Sequence, residues 1–268
     1  MRIVGMKTPD GVKIAQAANG QYRPIAPIEA FWSDPVAAAA NAQEGQWLDD
    51  VDLAPAIPAT GRVICVGLNY RLHAEEGGMP IPEIPVVFAR WAQTLIPDGA
   101  PSPAMAPTYD WEAELGVVIG KAGLAISEAD ANDHVYGYCS FNDLSCRAIQ
   151  LETPQWALGK NSDASGPIGA IVTRDEAGDP ADGWKVVTEV NGEVVQNGDT
   201  SDFIFTVPQV IAFVSRAMTL RPGDLIITGT PSGVGMAMKP PRFLQPGDVV
   251  KVEVGPLGPV TTPIVARP

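Results

Sequence analysis

Tyr109-Asp110-Trp111-Glu112-Ala113-Glu114-Leu115-Gly116-Val117-Val118-Ile119-Gly120 is the stretch on which the fold turns. Its second half is an apolar, β-branched run closed by glycine, which predicts a buried strand. Its first half carries Glu112 and Glu114 two residues apart. Side chains alternate faces along a strand, so both carboxylates point the same way, about 6–7 Å apart at the backbone. Two like charges side by side at the edge of a core repel each other. Packing gives no reason for them, whereas a cation held between them does.

The chain around this stretch has 268 residues, enough to bury a large core. Its 27 glycines and 26 prolines favour many short strands and turns over long helices. A formal charge of −13 with no basic run argues against a nucleic-acid partner and against an anionic membrane surface. An anionic small-molecule substrate would need a local source of positive charge. The three cysteines, Cys65, Cys139 and Cys146, form no Cys-x-x-Cys pair, so neither a disulfide framework nor a zinc cage is indicated. That usage fits a reducing compartment. The N-terminus lacks the apolar core of a signal peptide, and no apolar run is long enough to span a bilayer. The expectation is a soluble, cytoplasmic protein.

Residues 1–58 read as a small N-terminal unit. Strands are expected at 2–6 and 12–18 around the turn Thr8-Pro9-Asp10-Gly11, then a helix-prone segment at 36–42 and a Pro/Ala-rich linker at 49–60. An apolar strand at 62–67 opens the main body and runs into Asn69-Tyr70-Arg71-Leu72-His73-Ala74-Glu75-Glu76. At helical spacing His73 and Glu76 share a face, so the carboxylate could hold and polarise the imidazole. A short solvated helix with an incidental pair would read the same way. The Gly/Pro-rich residues 77–85 are either a lid or an ordinary connection. A strand at 85–89 ends at Arg90-Trp91, and another at 135–141 ends at Asn142-Asp143. A helical turn or two at 144–151 then places Arg147 and Gln150 together. Further on, Asn191-Gly192 marks a hairpin, residues 207–220 a helix, and Gly229–Gly235 a glycine-rich loop without the Gly-Lys-Ser/Thr of a phosphate-binding loop.

Three hard oxygen ligands are thus on offer from strand ends: Glu112, Glu114 and Asp143. With no cysteine or histidine among them, the set suits Mg²⁺ or Mn²⁺ rather than zinc, with open positions for water and a bidentate oxygen substrate. Lys160 and Arg147 would supply the local positive charge. The alternative is an acidic strand edge flanked by surface basic residues, which the spacing alone does not reject.

Over residues 62–265 the sequence resembles the fumarylacetoacetate hydrolase family. The matching stretches include Cys65-Val66-Gly67-Leu68-Asn69-Tyr70 with His73…Glu76, residues 110–121, and Asn142-Asp143-Leu144-Ser145 with Arg147…Gln150. They continue with Gly159-Lys160-Asn161, Val190-Asn191-Gly192-Glu193 and Thr228-Gly229-Thr230-Pro231. The resemblance implies an α+β, mostly β fold: a β-sandwich roll catalytic domain over 59–268, with a small α/β subdomain over 1–58. It implies a Mg²⁺ site at Glu112, Glu114 and Asp143, with Mn²⁺ or Ca²⁺ as alternatives. It places a water-activating dyad at His73 and Glu76, a catalytic Lys160, and substrate contacts at Tyr70, Arg147, Gln150 and Thr230. It also implies a homodimer acting on a small anionic 2-oxo acid.

The reaction the resemblance implies is hydrolysis of a C–C bond in an acylpyruvate or β-diketo acid of the fumarylpyruvate or fumarylacetoacetate kind. Isomerisation, hydration or decarboxylation of a 2-oxo diacid on the same scaffold is the alternative. A catalytically silent member would be expected to lack a ligand acid or the histidine, and this chain keeps all four. Two departures from the family pattern stand out. Arg90-Trp91 replaces a Lys-Pro step. Asn161-Ser162-Asp163-Ala164-Ser165-Gly166-Pro167 replaces a run with an aromatic residue before proline. Both are expected to bear on substrate identity and to spare the metal site.

Overall fold

The computed structural model describes residues 1–267 apart from Asn41, Gln43 and Glu44. The chain is mostly β, as expected, with two large sheets and a short two-stranded pair. The larger sheet has the strand order Gln21–Pro27, Gly11–Ala18, Arg2–Thr8, Ile171–Thr173, Val135–Asn142, Ala113–Ile119, Leu225–Ile227, Val63–Gly67 and Val86–Arg90. Ala113–Ile119 lies in its middle, antiparallel to Val135–Asn142 on one side and to Leu225–Ile227 on the other. Every residue of it is buried. Leu115, Val117 and Ile119 face one apolar core and Val118 the other, which is why the run carries no polar alternation.

The second sheet runs Glu193–Asp199, Lys185–Val190, Val249–Val254, Pro259–Val265 and Ser102–Pro103. One alternating face, with Val186, Val190, Val250, Val252 and Val254, closes the first core. Asn191 and Gly192 both have positive φ, 54° and 82°, as a two-residue hairpin of this handedness requires.

The two expected N-terminal strands are Arg2–Thr8 and Gly11–Ala18, and a third, Gln21–Pro27, follows them. Pro24 hides that strand in the sequence. Proline is tolerated there because the strand is at the sheet's edge. Arg2–Thr8 pairs with Ile171–Thr173, so the N-terminal segment continues the large sheet. Within the expected linker, Leu53–Ala54 adds a short strand against Gly5 and Met6. A Cβ on Gly5 would stand 2.4 Å from the Pro55 carbonyl oxygen, so that approach needs glycine.

Helices are shorter than the pattern implies. The expected 36–42 helix is Pro35–Ala40, and Asn41 of that segment lies outside the described residues. The expected 207–220 helix starts with a capping box between Thr206 and Gln209 but ends at Ser215. Beyond it, Leu220 exchanges backbone hydrogen bonds with Gly123 instead. The expected 144–151 helix is only Arg147–Gln150, because Ser145–Cys146 pairs with Tyr109–Asp110.

Candidate active site

The strand register brings the three acids together. Glu114 is the second residue of Ala113–Ile119. Glu112 lies one residue before that strand instead of on it. Ala113 pairs with Asn142, which sets Asp143 beside Glu112, and the Asp143 N–H donates to the Glu112 carbonyl at 2.9 Å. The Asn142 side chain accepts from the Glu112 N–H at 3.1 Å. One carboxylate oxygen from each acid lies within 4.8 Å of the others, and all three residues are buried. This donor set, all hard oxygen and crowded, fits a divalent cation such as Mg²⁺ or Mn²⁺.

The electrostatics favour the same assignment. Burial raises the Glu112 pKa, but the Lys160 ammonium and then the Arg147 guanidinium outweigh it and hold the carboxyl well below the ordinary glutamate range. Glu114 shifts the other way: burial, then the Asp143 and Glu112 carboxylates, push it well above that range. Among the described residues its one direct hydrogen-bond donor is the Gly229 N–H. Gly229 has φ +95°, and a Cβ there would meet Asn69 Cβ at 2.9 Å. Only glycine lets this backbone come so close to the acid.

Three cations surround the cluster. Lys160 Nζ donates to Glu112 Oε2 at 2.8 Å and to Asp143 Oδ2 at 2.6 Å. Burial lowers its pKa, yet Asp143 and Glu112 raise it further, so it keeps its proton. Arg147 donates to Glu112 and to Gln150, and through Nε to Asp110 Oδ2 at 2.8 Å. Its Nη2 is buried without a partner among the described residues.

Arg90, the third cation, was expected to bear on the substrate. Instead its Nε and Nη2 both bond Asp143 Oδ1, and its remaining donors reach Ser165 Oγ at 2.6 Å, Thr94 and the Leu144 carbonyl. Both departures from the family pattern therefore meet at a candidate metal ligand. Ser165 belongs to the atypical run after Lys160, and Asn161 ties that run to the Trp91 N–H at 2.6 Å.

Asp110 and Gln196 also hold the site together, a role that the sequence does not assign them. Asp110 is fully buried and accepts from the Trp111, Gly235 and Met236 N–H groups as well as from Arg147, so it fixes the glycine-rich loop. Gln196 Oε1 accepts from the Ala113 N–H and Thr188, while Nε2 donates to Thr230 Oγ1 and the Pro231 carbonyl. Asp110 stands in the opening stretch, where an acid between Tyr109 and Trp111 was a usable signal. For Gln196 the one signal is its place in the family-like run that follows Val190-Asn191-Gly192-Glu193.

His73 and Glu76 lie on the helix Arg71–Glu76, with Nδ1 3.5 Å from Glu76 Oε2. That is ion-pair distance, longer than a good hydrogen bond. Glu76 also accepts from the Gly233 N–H at 3.0 Å. Both side chains open onto a cavity of about 410 Å³, with Glu112, Glu114, Arg147, Gln150, Lys160 and Thr230 also on its wall. Asp143 lies just behind, against Lys160. Tyr70 is not on that wall. Its ring is fully buried, edge-on to Phe203 at 4.8 Å, because the chain at Tyr70 bridges to Phe203. Its hydroxyl is buried with no hydrogen-bond partner among the described residues, and burial and then the Glu114 carboxylate push its pKa well above the ordinary tyrosine range. Leu68, also on the wall, has φ +54°, a strained backbone for leucine and one that clusters at functional sites.

Comparison with known proteins gives a consistent answer. The profile "Fumarylacetoacetate (FAA) hydrolase C-terminal" matches residues 62–265. A protein of Burkholderia lata carrying a provisional hydrolase name is 49% identical over 205 residues, which is 74% of this chain and 72% of that one. The fumarylpyruvate hydrolase of Pseudomonas aeruginosa, solved with Mn²⁺ and pyruvate, is 32% identical with a TM-score of 0.71, over 81% of this chain and 92% of its own. The 2-hydroxyhepta-2,4-diene-1,7-dioate isomerase of Mycobacterium marinum is 33% identical with a TM-score of 0.80, over 100% of this chain and 99% of its own. The chain belongs to the fumarylacetoacetate hydrolase family.

Proposed function

We propose that the protein is a divalent-metal-dependent hydrolase that cleaves a carbon–carbon bond in an acylpyruvate or related β-diketo acid. The observation that carries this reading is one cavity walled by a histidine–glutamate pair and by Glu112 and Glu114, with Asp143 clustered just behind them. Glu112, Glu114 and Asp143 are the candidate ligands for Mg²⁺ or Mn²⁺. When bound, the ion supplies Lewis-acid stabilisation and a template for the two near oxygens of a 2-oxo acid.

The chain's own groups do the rest. Glu76 keeps His73 Nδ1 turned toward it, which leaves Nε2 to take a proton from water. The hydroxyl adds to the distal carbonyl, where the positive charge of Arg147 on the cavity wall favours the developing oxyanion. The C–C bond then breaks, its electron pair stays on the carbon next to the 2-oxo group, and the proton from His73 replaces the lost acyl group there. Lys160 holds positive charge beside that carbanion.

A second reading, isomerisation of a 2-oxo diacid, draws support from the likeness to the Mycobacterium marinum isomerase, which extends over essentially the whole of both chains. In that case His73 would carry a proton between two carbons and no water would add. Incubating Mn²⁺- or Mg²⁺-loaded protein with acylpyruvates, oxaloacetate and dienoic diacids, and identifying products by mass spectrometry, separates the two. Pyruvate plus a free carboxylic acid is the expected result. A rearranged product of unchanged mass would displace the hydrolase reading.

A further inference from the structure

The cavity has two unlike ends. At the deep end stand the acids, with Lys160 and Arg147 bonded to them. The rest of the wall is largely apolar: Met79, Leu151 and Met236 are exposed toward solvent, and Leu68, Trp156 and Phe88 lie further in, the Phe88 ring 5.7 Å from Lys160 Nζ. Among the described residues, Lys160 and Arg147 are the only permanent cations on the wall, and His73 the only other basic group. Lys160 is directed at Glu112 and Asp143, and Arg147 at Glu112, Gln150 and Asp110. The Arg147 Nη2, without a partner among the described residues, is itself buried and belongs to a guanidinium that touches Glu112.

A substrate that places its 2-oxo acid group at the carboxylates therefore extends its far end along aliphatic and aromatic surface. A second carboxylate there would lose its hydration and gain no cationic partner. The protein's charge of −13 adds a longer-range penalty. We infer that the cavity selects 2-oxo acids whose far end is an uncharged apolar group, and discriminates against diacids. This rests on the proposed 2-oxo acid chemistry and narrows it to acylpyruvates with aliphatic or aromatic acyl groups. A cavity of about 410 Å³ leaves room beyond an acetyl group.

The test compares two probes with the same six-carbon backbone, 2-oxohexanoate and 2-oxoadipate. Their binding to Mn²⁺-loaded protein is measured by calorimetry at low and at 1 M salt. 2-Oxohexanoate is expected to bind at least tenfold more tightly, and the preference should survive 1 M salt, where the Debye length is about 3 Å and long-range repulsion is screened. Among acylpyruvates, kcat/KM should rise roughly fourfold for each methylene added from acetyl to butyryl. The exposed Leu151 gives a variant that spares the core: Leu151→Arg should cut the preference at least fivefold. Equal or tighter binding of 2-oxoadipate, or a preference lost at 1 M salt, overturns the inference and leaves the proposed function standing. An unchanged ratio in Leu151→Arg overturns the placement of the far end. Binding of neither probe removes the 2-oxo acid reading itself, and this inference with it.

Discussion

The carboxylate end and the histidine end of the cavity are built differently. Glu112, Glu114 and Asp143 sit at strand ends in the middle of the large sheet, buried and bonded to Arg90, Arg147, Lys160 or a backbone N–H. His73 and Glu76 sit on a six-residue helix with no side-chain N-cap, beside the loop at 77–85. Their side chains remain 16% and 24% exposed, and 3.5 Å separates them. Two anchors hold that helix: the Leu72 N–H on Asp202 and Glu76 on the Gly233 N–H. One end is pre-organised by the sheet. The other has freedom to tighten when substrate arrives, as catalytic hydrogen bonds often do. Binding and turnover should accordingly separate under mutation.

The largest expected effect breaks the rigid end. Glu112→Gln and Asp143→Asn should each abolish Mn²⁺ binding in calorimetry, and with it all turnover. Retained micromolar binding in either would remove that residue from the ligand set. Truncation is a poorer probe, because Asp143→Ala leaves Arg90 and Lys160 buried without their shared partner, a loss of about 3–5 kcal/mol that can unfold the chain.

At the looser end, His73→Ala should lower kcat by about 10²–10⁴ with the Mn²⁺ affinity unchanged within twofold. Glu76→Gln should cost less, about tenfold, since it removes only the group that orients the imidazole. If His73→Ala kept full turnover, water activation would have to come from elsewhere and the hydrolytic role of this end would fall.

Arg90 tests whether the rigid end depends on its supports. Arg90→Lys retains the charge but forfeits the planar fork that reaches Asp143, Ser165, Thr94 and the Leu144 carbonyl at once. Mn²⁺ affinity should drop about 10–100-fold, the usual effect of losing a group that orients a ligand. Unchanged affinity would show that the sheet alone holds Asp143 in place.

The same contrast explains what the sequence could reveal. Glu112 and Glu114 are legible because the chemistry is local: two acids at strand spacing beside an apolar run. His73 and Glu76 are legible for the same reason, one helical turn apart. Asn191-Gly192 is legible because a two-residue hairpin demands positive φ. Arg90 bonds a residue 53 positions away, and Gln196 joins Ala113, Thr188 and Thr230 across two sheets. No periodicity records such pairings. The pairing of Arg2–Thr8 with Ile171–Thr173 is likewise a fact of topology. Tyr70 lies off the cavity wall because the bridge to Phe203 turns its ring into the core, a side-chain direction that no motif position records.

The smallest effect concerns the cost of assembling the rigid end without its cation. An unperturbed glutamate titrates near about 4.3. In the folded protein burial, then Asp143 and Glu112, raise Glu114 well above that. Below the unfolded value both states hold the proton, and Glu114 costs nothing. As the pH rises above it, the unfolded chain releases the proton while the folded chain does not, so stability is lost with rising pH. Glu112 works oppositely: Lys160 and Arg147 depress its pKa against burial, so its contribution is present above about 4.3 and lost below it. Glu114→Gln removes the first effect, keeps an oxygen to accept from the Gly229 N–H, and leaves the second effect in place. For metal-free protein at neutral pH the substitution should raise Tm by about 2–4 °C, corresponding to about 1 kcal/mol. The gain should shrink toward zero as the pH is lowered to about 4. Thermal melts of both proteins with chelator across that range measure it. A gain that persists at pH 4, or none at neutrality, would mean that the strain of three crowded carboxylates does not reside on Glu114.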